Sequence, residues 1–324
     1  MLFRSTLHLI DNPDATPDDL MKFVKGPDFP TGATILGLQG IYDAYRTGRG
    51  SVKVRAKAAI EEGRRGQMQI VVTELPYQAS CSAIAARIQE LVDGGDLDGI
   101  ADVNDNSSGG QTNLIITLKR DANANVVLNN LFKLTQLQSS FPINMVALVD
   151  GVPRTLNLRT AIDGYINHQI DVITRRSEYR LGKAKDRQHI LEGRLKALNV
   201  IDAIIKLIRA SDDAAAAKDK LMKKPYGFSE RQAIDILDMQ LRQLTKLSRI
   251  DIETEIEALN VKIKELEEIL GNPKVLRALI SKELLEVKEE FAQPRACKIV
   301  ADSGEMSLED LVDRKSTRLN SSHT

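Results

Sequence analysis

The chain has 324 residues with 45 Lys and Arg against 45 Asp and Glu, so overall charge neither favours nor excludes a nucleic-acid partner. Aromatic residues make up only 4% and tryptophan is absent, so the core must be built from aliphatic side chains. No run approaches the ~18–20 apolar residues of a membrane span, no signal peptide is recognisable, and the distant Cys81 and Cys297 argue against a disulfide scaffold, so a cytoplasmic location is expected.

The first part of the chain predicts a short capped helix. Thr16 is a suitable N-cap, Pro17 fits the first helical position, and Asp19 completes a capping-box pattern. Gly26 and Pro27 should end this helix, because both residues are unfavourable inside one.

Residues 51–118 predict a small α+β region. Apolar and basic residues alternate along residues 51–60, which indicates one half-buried strand, and the segment 63–66 is a turn. In chain order, a returning strand, a helix, two strands, a second helix and a hairpin are expected at residues 67–73, 82–92, 100–103, 114–118, 126–134 and 144–156.

Two long runs of helical periodicity follow. In the second run, apolar residues recur at spacings of four and three from Ile252 to Leu270, which is a heptad seam. The first run is capped by Asn157 and should continue to about Arg209, whereas the second begins near Arg249. Helices of roughly 45–50 residues span about 70 Å, so the runs are expected to fold back as an antiparallel arm.

The segment between the two runs should form a compact tip with an apolar helix over residues 232–244. Its apolar side chains outnumber what one helix face needs, so two interpretations stand: packing within the tip, or a dimer contact at the end of the arm. The residues assigned to that contact are Ile236, Leu237, Met239, Leu241 and Leu244. The predicted fold class is α+β and helix-rich, with a small α+β region, a long antiparallel coiled-coil arm and a compact helical tip.

The densest local cluster of positive charge lies between Ala44 and Ile60, a segment without any acidic residue. An extended strand there would project basic side chains from one face at about 6.6 Å spacing, near the scale of the phosphate repeat of a duplex. The pattern predicts a sequence-independent contact with the DNA backbone, and an ordinary solvated strand face is the alternative. The candidate cations are Arg46, Arg49, Lys53, Arg55 and Lys57.

Catalytic and metal-binding patterns are absent from the sequence. No tyrosine lies in a grouping that would make it a nucleophile, and no Ser/His/Asp grouping or pair of carboxylates forms a credible site. The four histidines are too scattered for a metal site. The residues alone therefore indicate a scaffold with one basic face, with no catalytic residue, metal or cofactor of its own.

Six sequence motifs occur in order along the chain: GPDFPTG (26–32), AYRTGRGSVKVRAK (44–57), TELPYQ (73–78), IITLKRDANANVVLNNLFKLTQLQSSF (115–141), INMVALVDGVPRTLNL (143–158) and QAIDILDMQLRQLTKL (232–247). In wording, order and spacing these motifs resemble one family, the A subunit of bacterial DNA gyrase, a type IIA topoisomerase.

The resemblance implies a function that this chain would share with other subunits. In that family a tyrosine cleaves duplex DNA and a second duplex passes through the break, with ATP hydrolysis driving negative supercoiling. The expected partners are duplex DNA, a second copy of the A subunit, giving a homodimer, and the ATPase B subunit, in an A2B2 heterotetramer. ATP and Mg²⁺ are expected on the B subunit.

The resemblance also implies a division of the chain into regions. Residues 6–25 would end the DNA-gate region, 26–158 would form a tower, and 159–209 with 249–292 would form the arm. Residues 210–248 would form the exit-gate tip. Three further segments are a non-native start, the beginning of a C-terminal domain and a non-native disordered tail, at residues 1–5, 293–313 and 314–324.

The family's winged-helix region and its Arg-Tyr catalytic motif have no counterpart in this sequence. The chain is therefore expected to be a fragment that cannot cleave DNA by itself. Two alternatives stay open. One is the A-type subunit of topoisomerase IV, and the other, from a different class, is a structural coiled-coil dimerisation protein without a role on DNA.

Overall fold

The computed structural model describes residues 2–63, 66–239 and 249–302, which divide into two compact units. One unit runs to Tyr165 and resumes at Val287, and the other comprises Ile166–Glu286. The helices are α1 (Leu2–Asp11), α2 (Pro17–Met21), α3 (Gln39–Thr47), α4 (Cys81–Asp93), α5 (Ala124–Leu134), α6 (Leu158–Asn199), α7 (Ile201–Arg209), α8 (Ala214–Met222), α9 (Glu230–Asp238), α10 (Arg249–Gly271) and α11 (Pro273–Phe291). The strands are β1 (Thr34–Leu36), β2 (Arg49–Arg55), β3 (Lys57–Glu62), β4 (Met68–Glu74), β5 (Ile100–Asp105), β6 (Leu114–Leu118), β7 (Gln138–Asn144), β8 (Val146–Val149), β9 (Val152–Thr155) and β10 (Lys298–Val300).

The short helix α2 begins as the sequence predicts. The Thr16 backbone N–H donates to the Asp19 carboxylate at 3.0 Å, and the Asp19 backbone N–H donates to the Thr16 hydroxyl at 3.3 Å. This reciprocal pair is a capping box, with Pro17 at the first helical position.

The first sheet, called sheet A, has the strand order β10-β1-β2-β7. β1 and β10 run parallel, and the other pairs are antiparallel. Val52 and Val54 are buried on one face, where α3 packs so closely that a Cβ on Gly50 would lie 2.4 Å from the Gly40 carbonyl oxygen. Because α3 covers this face, the opposite face of β2 is the one that projects its odd-numbered side chains.

The second sheet, called sheet B, has the order β3-β4-β6-β5. Its inward side chains, such as Ile70 and Ile116, form a single core with Ile84 and Ile88 of α4 and Leu131 of α5. Helices therefore cover one face of this antiparallel sheet, and alternation along β4 and β6 leaves the other face half-buried. The small α+β region is confirmed.

The prediction of one continuous strand over residues 51–60 is wrong. β2 ends at Arg55 and β3 begins at Lys57, in different sheets. Between them the Ala56 backbone N–H donates to the Leu137 carbonyl at 2.7 Å. The alternation of apolar and polar residues continues through this point, so periodicity alone cannot reveal where a chain passes from one sheet to another.

The helical arm is confirmed. Asn157 caps α6, because its side-chain oxygen accepts from the Thr160 backbone N–H at 2.8 Å. Side-chain pairs between the helices show that α6 and the α10–α11 segment are antiparallel, since partner numbers fall as those on α6 rise. The pairs are Arg176–Glu283, Lys185–Glu267 and Arg187–Glu255.

Charge supports this helix pairing. α6 carries nine basic and five acidic residues, whereas α10 carries three basic and seven acidic residues. The heptad seam lies between them, with Ile252, Ile263 and Leu266 buried. The first long helix is interrupted, however, because α6 ends at Asn199 and α7 begins at Ile201. The prediction of an unbroken helix to Arg209 is wrong.

The tip has a core of its own, formed by Ala197, Ile204, Leu221, Phe228, Ala233 and Ile236. Ser229 caps α9 through a capping box with Gln232. Arg194 of α6 binds Asp235 of α9 through two hydrogen bonds of 2.8 Å. α9 ends at Asp238 with Met239 in an extended conformation, so the predicted helix over 232–244 ends earlier. Residues 240–248, including Leu241 and Leu244, lie outside the described residues.

Candidate nucleic-acid interface

The open face of sheet A gathers basic side chains from distant parts of the chain. Val52 and Val54 point into the core, so strand alternation places Arg49, Lys53 and Arg55 on the opposite face. Arg49 and Lys53 are exposed and Arg55 is half-buried. The structure therefore brings together three of the five candidate cations.

A fourth cation, Lys298, was not anticipated from the sequence. Thr34 of β1 pairs with Arg55 on one side and with Lys298 of β10 on the other. Residues in register across a sheet share a face, and two strand spacings amount to about 10 Å. Lys298 therefore lies on the same face as Arg55. No local pattern in the sequence reveals which strand Lys298 joins.

Arg55 is held in place by its surroundings. Its Nε donates to the Gln138 side-chain oxygen at 2.7 Å, and its guanidinium lies 4.7 Å from the centre of the Phe132 ring. Burial lowers the pKa of Arg55, although the nearby Asp302 acts in the opposite direction. Arginine is not deprotonated in proteins, so Arg55 stays charged despite this lowering, and its contacts fix the position of that charge.

Lys57 and Arg46 do not lie on this face of β2. Lys57 belongs to β3 in sheet B and pairs with Glu74 at 2.8 Å. Arg46 belongs to α3, which packs against the other face, and it binds Asp18 through two hydrogen bonds of 2.8 and 2.9 Å. The expectation that Lys57 continues the row of Lys53 and Arg55 is therefore wrong.

Two carboxylates lie near the cations of the open face, Asp302 beside Lys53 and Glu74 at the end of β4, where Lys57 binds it. Asp302 is 3.5 Å from the Lys53 Nζ. Glu74 accepts from the Ala33 backbone N–H at 2.6 Å as well as from Lys57. Burial would raise the pKa of Glu74, but these hydrogen bonds and the charges of Lys57 and Lys298 hold it below its ordinary value. The Arg49 guanidinium, by contrast, forms no ion pair with any residue in the described ranges.

Among the described residues, the buried Tyr45 is poorly placed to act as a nucleophile. Burial raises the pKa of Tyr45 to about 12, which disfavours the phenolate. No group of three or more His, Cys, Asp or Glu side chains in residues 2–63, 66–239 and 249–302 could hold a metal ion. Among the same residues, no helix is long and apolar enough to cross a bilayer.

The residues assigned to a dimer contact occupy different environments. Ile236 is 1% exposed and packs inside the core of the tip, and the half-buried Leu237 packs against that core. Met239 is half-buried, whereas Ile234 on the outer side of α9 is 42% exposed. The buried position of Ile236 supports packing within the tip, and the dimer contact itself stays a prediction.

A family model that describes the A subunit of DNA gyrase/topoisomerase IV matches residues 2–285, and the chain belongs to this family. The family predicted from the motifs is confirmed. The DNA gyrase A subunit of Streptomyces coelicolor is 50% identical over 297 residues, which cover 91% of this chain and 34% of the relative. Its counterpart in Staphylococcus epidermidis is 46% identical over 319 residues (98% and 36%), and that of Mycolicibacterium smegmatis is 47% identical over 303 residues (93% and 36%). The chain thus spans about a third of the length of these curated relatives.

Proposed function

We propose that the chain forms part of the A subunit of a type II topoisomerase and that the open face of sheet A contacts the DNA backbone. The observation that carries this proposal is the convergence of Arg49, Lys53, Arg55 and Lys298 on one face of a sheet, in a chain of this family. Residues 26–158 would act as the tower, and the helical arm would hold the exit gate at its tip.

The geometry suits phosphate rather than base recognition. Arg49 and Lys53 are four positions apart, which corresponds to about 13 Å along an extended strand. The broad face of a four-stranded sheet is wider than the major groove, so its lysines and arginines meet the backbone more readily than base edges. Contacts of this kind position a duplex without reading its sequence.

The wider assembly belongs to the same proposal. Names of the relatives favour gyrase over topoisomerase IV, so the enzyme would introduce negative supercoils in the cytoplasm. Duplex DNA, a second copy of the chain and the B subunit would be its partners. ATP and Mg²⁺ would bind to the B subunit.

The DNA contact can be tested by removing Arg49 and Lys53 together. The double alanine variant should bind duplex DNA more weakly for every sequence, and the slope of log affinity against log salt should fall by up to about 1.8. Arg55 is a poor target, because its replacement would also disturb Phe132 and Gln138.

A matched control replaces Arg87 and Lys119, which are exposed cations in the sheet B region. This variant has the same net charge as the Arg49/Lys53 variant and should keep the original salt slope. Equal losses in both variants would indicate that only net charge matters, and would reject a specific contact on sheet A.

We also propose that this chain alone does not cleave DNA. Tyr45 is buried, and no tyrosine in the described residues has a neighbouring base in hydrogen-bond contact that would activate it. Incubation with supercoiled plasmid and Mg²⁺, followed by denaturation, should leave no protein attached to DNA. A covalent adduct formed by the purified chain would refute this.

A further inference from the structure

We propose that Asp302 is an internal competitor of DNA phosphate for Lys53, so that the segment following β10 weakens the affinity of the basic face. This inference rests on the proposed DNA contact and concerns the regulation of that same surface. Asp302 lies 3.5 Å from the Lys53 Nζ, and both side chains are accessible to solvent, at 32% and 45% exposure.

The position of Asp302 is set by the sheet. Val300 pairs with Leu36 of β1, and Leu36 pairs with Lys53 of β2. The Gly37 backbone N–H donates to the Val300 carbonyl at 2.9 Å, which fixes the chain just before Asp302. Strand β10 therefore brings a carboxylate to the same face on which it places Lys298.

A phosphate approaching this face meets Asp302 beside the cation it would bind. The carboxylate and the phosphate are both anions that accept hydrogen bonds from the same ammonium group, so like charges at this distance disfavour simultaneous binding. Asp302 also faces Arg55, whose charge it stabilises. The carboxylate therefore reduces the attraction of two of the four cations.

The second carboxylate near the face, Glu74, is less suited to this role. It is anchored by the Ala33 backbone N–H at 2.6 Å and by Lys57 at 2.8 Å. A Cβ on Gly32 would lie 2.4 Å from its side-chain oxygen, so the loop is built around it. Glu74 is thus a fixed structural anion, whereas the contact of Asp302 with the Lys53 Nζ is longer, at 3.5 Å, and is the one that a phosphate could replace.

The test is the Asp302→Asn variant of the 324-residue chain, with binding to a duplex measured by fluorescence anisotropy across a salt series. Asparagine keeps the size and a hydrogen-bond acceptor but removes the charge. An exposed ion pair of this kind predicts about twofold to fivefold tighter binding. If Lys53 gains a phosphate contact, the salt slope should steepen by up to about 0.9.

The matched control is Asp98→Asn, which makes the same change in net charge at an exposed ion pair with Lys119. This variant should bind as the unaltered chain does. A second comparison places Asp302→Asn in a Lys53→Ala background, where its effect should fall markedly because the competed cation is gone. Thermal melting checks that each variant is folded.

Three outcomes separate this proposal from the one on which it rests. Tighter binding by Asp302→Asn but not by Asp98→Asn, with the gain reduced by Lys53→Ala, supports the competition. Unchanged binding by Asp302→Asn together with weaker binding by Lys53→Ala overturns the competition and leaves the DNA contact intact. Unchanged binding by both Asp302→Asn and the Arg49/Lys53 double variant overturns both proposals.

Discussion

Replacing Ile236 by alanine should loosen the tip of the arm while leaving its outer surface intact. Ile236 is 1% exposed and shares its core with the fully buried Ile204 and Leu221 and with Phe228. The substitution removes three buried carbon atoms, worth about 2.4 kcal/mol of transfer free energy, and the residual cavity raises the cost to roughly 3–4 kcal/mol. Local opening of the tip should therefore become about 100-fold more frequent or more.

Hydrogen exchange of peptides covering residues 201–238 measures this opening directly. The matched variant is Ile234→Ala on the same helix, where the side chain is 42% exposed and the expected cost is within about 0.5 kcal/mol. Equal exchange in the two variants would refute the reasoning from burial. If Ile236→Ala instead shifted sedimentation towards monomer without faster exchange in the tip, Ile236 would be a dimer contact after all.

Three further predictions concern the α+β unit and the arm. Burial would raise the pKa of the Asp28 carboxylate, but hydrogen bonds that it accepts from the Ala296 and Cys297 backbone N–H groups lower its pKa overall. The ionised carboxylate should therefore stabilise the fold fully above about pH 4, and this stabilisation should be lost as the pH falls further. The melting-temperature gap between the unaltered chain and Asp28→Asn should therefore shrink on acidification, and a constant gap would contradict this. Gly50→Ala should lower the melting temperature by a cost of about 1–3 kcal/mol, since its Cβ would meet α3 backbone, and an unchanged value would contradict that packing. Gly182→Ala on α6 meets nothing within 4 Å and should stabilise the arm by up to about 1 kcal/mol, so a loss of helix stability would be inconsistent with an open position.

Elements governed by local chemistry could be predicted from the sequence. The capping box at Thr16, the Asn157 cap and the hairpin over residues 144–156 each depend on residues only a few positions apart. The heptad seam likewise repeats within a few residues, and it predicted both the antiparallel arm and the burial of Ile252. The geometry of each of these elements is determined by neighbouring residues, so the sequence was sufficient to predict them.

Features governed by distant contacts could not be predicted. The same alternation continues through β2 and β3, although β2 pairs with β1 and β7 whereas β3 pairs with β4. Lys298 reached the basic face through pairing with Thr34, which has no local signal. The prediction that five cations form one basic cluster was therefore only partly correct. Partners that neutralise a cation, such as Asp18 beside Arg46, are also distant in sequence.

The pairing of β10 with β1 has a consequence for synthesis on the ribosome. Thr34 cannot pair with Lys298 until Lys298 has been synthesised, 264 residues later. At ~5–20 residues per second this delay is roughly 15–50 s. During that time one edge of β1 is open to unwanted strand partners, and its length of only three residues limits the hazard. β10 then pairs with this edge of β1 and brings Lys298 and Asp302 to the sheet together. A nascent chain would thus acquire the cation Lys298 and its proposed competitor for phosphate, Asp302, in one step.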